Sequence, residues 1–155
     1  MSYSCEVKEM PAQTVLTVRT RTNVQSLPQF FGMAYGSIMQ HLGKLGELPA
    51  GPAFAAYYNM DMENLDVAAG FPVVKKLNGD GDKVQAGEMP AGKYAACLHV
   101  GPYDTIAPAY NALMAWMQEH EYEATGIAYE VYLNDPAETP RTELKTQVMF
   151  PIKPS

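Results

Sequence analysis

Apolar and polar positions alternate through residues 4–20, where Val15, Thr17 and Arg19 oppose Leu16, Val18 and Thr20. A period of two is the mark of a half-buried strand. Ser26 follows as a candidate N-cap, with Pro28 tolerated in the first helical turn. Phe31, Tyr35, Ile38, Leu42 and Leu45 then recur at helical spacing, and Gly43 and Gly46 end the run. Two more strands, about 52–60 and 65–75, flank an acidic turn over 61–64. The same succession returns as strand 84–100, helix 105–120, strand 126–134 and strand 142–152. In the second helix Ile106, Tyr110, Leu113 and Met117 share a face. Asn78-Gly79-Asp80-Gly81-Asp82, between the two successions, reads as a turn-rich linker.

The recurrence extends to residue identity. Glu9-Met10-Pro11-Ala12 returns as Glu88-Met89-Pro90-Ala91, and Ala34-Tyr35 as Ala109-Tyr110. Gly51-Pro52-Ala53-Phe54-Ala55-Ala56-Tyr57-Tyr58-Asn59 aligns with Gly126-Ile127-Ala128-Tyr129-Glu130-Val131-Tyr132-Leu133-Asn134. Leu65 then matches Leu144, and Phe71-Pro72 matches Phe150-Pro151. Four blocks in one order indicate a duplicated βαββ module. The expected fold is α+β, two modules forming an antiparallel sheet with two main helices and a cleft at the pseudo-twofold seam. A single domain over 1–155 is expected, with repeats over about 4–75 and 84–152 and a linker over 76–83.

Composition removes several function classes. With 11 basic and 17 acidic residues the net charge is −6, and no basic cluster suits a phosphate backbone, so direct nucleic-acid binding is not expected. No apolar run approaches the ~20 residues of a membrane helix. The start, Met1-Ser2-Tyr3-Ser4-Cys5-Glu6, lacks a secretion signal, so a cytoplasmic location without membrane contact is expected. Cys5 and Cys97 are far apart in sequence and read as strand residues of a reducing compartment. His41, His99 and His120 show no metal spacing, and Asn78, Asp80 and Asp82 lack the rest of a calcium loop. Neither a metal nor a cofactor is expected.

The candidate chemistry lies where the copies differ. Alternation puts Ala128, Glu130 and Tyr132 on one strand face, and Ala53, Ala55 and Tyr57 on its counterpart. Glu130 thus replaces Ala55, in one copy only. A buried carboxylate needs a partner; where no Lys or Arg supplies it, a cationic ligand can, with tyrosine faces adding attraction. Tyr110, beside Ala109 in the repeated Ala-Tyr pair, and Trp116 are further aromatic candidates. Met33, Met39, Met114 and Met117 on the helices are most simply core, though a soft lining of them would also suit a pocket of loose specificity.

The runs Gly51-Pro52-Ala53-Phe54-Ala55-Ala56-Tyr57, Asp66-Val67-Ala68-Ala69-Gly70-Phe71-Pro72-Val73, Met89-Pro90-Ala91-Gly92-Lys93-Tyr94-Ala95, His99-Val100-Gly101-Pro102-Tyr103 and Tyr129-Glu130-Val131-Tyr132-Leu133-Asn134-Asp135-Pro136 resemble the GyrI-like small-molecule-binding domain over nearly the whole chain. Related modules serve as effector-binding domains of AraC- and MerR-type regulators. The resemblance implies paired βαββ modules and a ligand site for lipophilic, aromatic cations around a central glutamate, which falls on Glu130. With that glutamate go the residues chosen from strand faces and aromatic content, so the expected ligand contacts are Glu130, Tyr57, Tyr132, Trp116, Ala55 and Tyr110, and the expected role is sensing or sequestration. No DNA-binding segment precedes Cys5, so the chain is not expected to be a transcription factor itself. Two alternatives follow from stand-alone relatives: hydrolysis of cyclopropane-containing toxins, with Glu130 as acid or base, and inhibition of DNA gyrase as a protein partner. The first reading, binding rather than catalysis, is preferred because no second catalytic group is evident.

Overall fold

A computed structural model describes residues 3–135 and 137–154. Met1, Ser2 and Ser155, and Pro136 of the Asn134-Asp135-Pro136 stretch, lie outside the described residues. The elements in order are β1 (Cys5–Met10), β2 (Gln13–Thr22), α1 (Leu27–Leu45), β3 (Phe54–Tyr57), β4 (Leu65–Pro72), β5 (Gln85–Met89), β6 (Gly92–Val100), α2 (Ala107–Glu119), β7 (Tyr122–Ala124), β8 (Ala128–Tyr132) and β9 (Lys145–Pro154). The fold is α+β, with antiparallel strands and two helices, as the alternation and helical spacing predict.

The expected long strands 4–20 and 84–100 are each two strands. Both break at the repeated Met-Pro-Ala motif, because Pro11 and Pro90 carry no N–H for the ladder. Past the second break Gly92 adopts φ 144, a backbone region that favours glycine. Each break also sends the chain to a new partner. β1 pairs with β6, from Cys5↔Cys97 to Met10↔Gly92, while β5 pairs with β2, from Gln13↔Met89 to Thr17↔Gln85. Two compact units result: Pro11–Ala91, and Met1–Met10 joined by Gly92–Ser155. They differ from the sequence repeats by the exchange of these leading strands.

In the unit Pro11–Ala91 the strand order is β3-β4-β2-β5. Helix α1 packs Phe30, Ala34, Ile38 and Leu42 against Leu16, Val18, Val67, Ala69, Val73 and Val84. Its buried stripe keeps Ile38 and Leu42 of the expected Phe31, Tyr35, Ile38, Leu42 and Leu45 but is turned by one position in the first half of the helix; Phe31 and Tyr35 flank the core, and Leu45 is exposed. Ser26 makes no side-chain cap bond, because the Asn23 side chain accepts from the Ser26 N–H in a short 3-10 turn. Gly43 remains helical, and Gly46, at φ 68, ends the helix.

The second unit orders its strands β1-β6-β9-β8, with β7 on the far end of β9. Sequence periodicity missed β7 because only Tyr122–Ala124 take part, too few residues to show a period. Helix α2 buries Ala109, Leu113 and Met117 and packs on β6, β1 and β7. The duplication is visible in side chains. Tyr35 meets Phe71 edge-on at 5.3 Å in one unit, and their counterparts Tyr110 and Phe150 do the same at 5.6 Å in the other.

Two glycines should respond to alanine with opposite sign. Gly70, between Thr17 and Phe54 in register, has no room for a Cβ, which would lie 2.7 Å from the Leu16 carbonyl oxygen and 2.7 Å from the Phe54 ring. Gly36, exposed within α1, has nothing within 4 Å. In urea unfolding, Gly70→Ala is expected to cost ~1–3 kcal/mol, and Gly36→Ala to add ~0.5–1 kcal/mol.

Candidate functional site

Residues directly opposite in an antiparallel pair share a face. One such row crosses the second unit through Glu130, Val148, Cys97 and Cys5, and the next through Tyr132, Thr146 and His99. Helix α2 covers this face: the Cys97 and Cys5 thiols donate to the carbonyls of Ala109 and Ala112 at 3.6 and 3.9 Å. Glu130, at the centre of β8, is buried to 9% exposure.

Both carboxylate oxygens are engaged. The Tyr110 hydroxyl, one turn into α2, donates to Oε2. The Tyr132 hydroxyl, two residues along the same strand, donates to Oε1 at 2.9 Å. Tyr103, in the short 3-10 turn before α2, packs its ring edge-on against Tyr132 at 5.4 Å. In the adjacent row His99 is 2% exposed; its Nε2 faces the Pro102 carbonyl at 3.0 Å and its Nδ1 faces the Tyr3 hydroxyl at 3.2 Å. A carbonyl only accepts, so Nε2 carries a proton and donates to Pro102. Thr146, fully enclosed between Tyr132 and His99, has a hydroxyl with no hydrogen-bond partner among the described residues.

The partners of Glu130 are phenols rather than cations. Among the described residues the ion pairs are Lys8–Glu6, Arg19–Asp66, Arg21–Asp66, Lys75–Glu47 and Arg141–Asp104, and none involves Glu130. Burial pushes the Glu130 carboxyl above the ordinary glutamate range, while the Tyr110 and Tyr132 hydrogen bonds and the nearby His99 pull the other way without prevailing. Burial also raises the Tyr103 phenol, assisted by the charges of Asp135 and Glu130. The arrangement is a carboxyl enclosed by aromatic groups and biased by burial toward its neutral form.

The sequence-predicted residues are distributed over both units. Tyr110 and Tyr132 converge on Glu130. Trp116 stacks instead on His120 at 4.2 Å and on Tyr122 at 6.1 Å, toward the C-terminal end of α2. Ala55 and Tyr57 lie on β3 of the other unit, Ala55 fully buried and Tyr57 half-buried against that unit's core. His99 was not expected in the site. The available signal was its place before the Gly101-Pro102-Tyr103 turn, whose Tyr103 ring reaches Tyr132 on β8. A hollow of about 360 Å³ lined by Met114, Met117, Gln118, Glu121, Tyr122, Glu123 and Ala124 includes neither Glu130 nor its phenol donors. Among the described residues no helix is long and apolar enough to cross a membrane.

The sequence profile of the GyrI-like small molecule binding domain matches residues 3–153. The chain belongs to this family. It is thus a small-molecule-binding domain, and its solved neighbours carry the same fold. The EcmrR C-terminal domain matches with a TM-score of 0.86 at 24% identity, over 100% of both chains. In the EcmrR–DNA complex the score is again 0.86, over 99% of this chain and 58% of that one, so the chain spans little more than half of that relative. SAV2435 bound to tetraphenylphosphonium scores 0.61 at 12% identity, over 99% of this chain and 94% of that one. A hydrolase from Listeria innocua scores 0.71 at 14% identity, over 98% and 93%. A comparison with curated proteins finds no match.

The raised carboxyl has a signed consequence for stability. As pH climbs from the ordinary glutamate range to the elevated value, the unfolded chain loses the Glu130 proton while the folded chain keeps it, so stability falls across that window. Glu130→Gln removes this loss. The stability of Glu130→Gln minus that of wild type, from urea unfolding, is expected to grow with pH through the window and level off above it. A difference independent of pH would reject the assignment.

Proposed function

We propose that this domain captures amphipathic aromatic cations, with Glu130 as the counter-ion and Tyr110, Tyr132 and Tyr103 as the aromatic surroundings. The observation that carries this reading is a buried carboxyl that makes no ion pair with Lys or Arg among the described residues. An ionised carboxylate in such a place is costly, and a ligand that brings its own positive charge offsets that cost, displacing the carboxyl proton as it binds. Its rings supply most of the affinity, at roughly 25 cal/mol per Å² of apolar surface removed from water. Tyrosine faces add ~0.5–2 kcal/mol each where the cation lies over a ring. The tetraphenylphosphonium held by SAV2435, a distant neighbour of the same fold, has this chemistry. Sensing and sequestration both follow from such capture.

A hydrolytic reading is favoured by one feature, the elevated carboxyl flanked by phenols, which suits a general acid or base. The hydrolase from Listeria innocua shares the fold at 14% identity.

Binding of tetraphenylphosphonium, and of a neutral aryl compound of equal size, to wild type and Glu130→Gln tests the counter-ion role. The variant is expected to lose at least roughly tenfold in affinity for the cation, since an unpaired buried charge costs several kcal/mol, and to bind the neutral compound at least as well. Equal loss for both would reject the role. Mass spectrometry of a cyclopropane-containing compound after prolonged incubation separates the two readings: intact compound is expected from capture, and an added water identifies hydrolysis.

A further inference from the structure

Cys5 and Cys97 are separated in sequence by the whole of the other unit, yet they stand directly opposite each other in the β1–β6 pair. Directly opposed residues of antiparallel strands have Cβ atoms roughly 4.5–5.5 Å apart on the same face, at the edge of the ~3.5–4.5 Å spacing of a disulfide. Here the shared face is confirmed by chemistry, since both thiols donate to α2 carbonyls one turn apart, Ala109 and Ala112. Both cysteines are free, and they differ in access: Cys5 is half-buried and Cys97 is 2% exposed.

We propose that Cys5 and Cys97 form a reversible cross-strand disulfide site that reacts with low-molecular-weight disulfides. Cys5, the accessible member, attacks as thiolate on one sulfur of the small disulfide. A Cys5 mixed disulfide forms, and one small thiolate leaves. Cys97 then loses its proton and attacks the Cys5 sulfur, forming the Cys5–Cys97 bond and expelling the second small thiolate. Two protein thiols are oxidised, one small disulfide is reduced to two thiols, and the two protons end on the released sulfurs. Burial pushes the Cys97 thiol up to about 12, with the neighbouring Cys5 adding to the shift, and also raises Cys5. The site is accordingly slow at neutral pH and faster in alkali, since thiolate is the reacting form.

The bridge would clamp the leading strand to β6 and remove two S–H donors from α2, the helix that presents Tyr110 to Glu130. It lies in the same cross-strand row as Glu130, with Val148 between Cys97 and the carboxyl.

The full chain, equilibrated with reduced and oxidised glutathione at pH 8, quenched with acid and mapped by peptide mass spectrometry, tests the proposal. The expected product is a peptide pair joined through Cys5 and Cys97. Its equilibrium constant should be at least roughly tenfold larger in the folded chain than in urea, because a registered pair favours closure. Cys97→Ser is expected to stop at a single glutathione on Cys5, and Cys5→Ser to leave Cys97 unmodified. A constant equal to or below that in urea, a Cys5–glutathione adduct that persists in wild type, or bridging only between molecules would each overturn the proposal.

Discussion

A carboxyl taken out of water must either keep its proton or find compensation, and Glu130 is held between these outcomes. Two phenols supply hydrogen bonds to both oxygens but no charge. A guanidinium in their place would settle the group as a permanent anion and leave nothing for a ligand to supply. Elsewhere the chain does use that solution. Asp66 takes a two-pronged contact from Arg19 at 2.8 Å to each oxygen and is held below the usual carboxylate range. The contrast distinguishes a carboxylate that fastens strands together from one left available.

Duplication makes the difference sharper. Tyr35, the counterpart of Tyr110, spends its hydroxyl on the Phe54 carbonyl at 2.8 Å, within its own unit. Tyr57 corresponds to Tyr132, and between these partners stands Ala55, fully buried where the other copy has its acid. The aromatic framework is common to both copies, which have the rings and the edge-on Tyr–Phe contact, whereas the acid stands in one. One copy retains an apolar core at that point, and the other converts it into an ionisable centre with little rearrangement of the scaffold.

Much of this was legible in the chain. The order of elements followed from periodicity, because strands of eight to ten residues and helices longer than three turns hold enough positions for a period to emerge. Glu130 stood out because its repeat partner is alanine, and Tyr132 because alternation puts it on the same face. What stayed hidden depends on pairing rather than pattern. That β1 belongs with β6 is a tertiary fact, and the juxtaposition of Cys5 with Cys97 follows from it alone. The one-position turn of the α1 stripe, from Phe31 and Tyr35 to Phe30 and Ala34, has a similar cause: both sets are apolar, and only the strands beneath decide which faces inward. The stacking of Trp116 on His120 and Tyr122 is likewise a matter of tertiary placement that helical spacing does not show.

The trade of leading strands at Pro11 and Pro90 reaches into biosynthesis. One unit is a continuous stretch and can close as soon as β5 has left the ribosome. The other cannot, because β1 emerges first and residues 11–91 must follow before its partner strand exists. Through that interval β1 offers an unpaired strand edge to its surroundings, a known invitation to adventitious association, and the closure it awaits spans a long loop. Short length and charged side chains at Glu6, Lys8 and Glu9 fit a segment obliged to wait in solution without sticking.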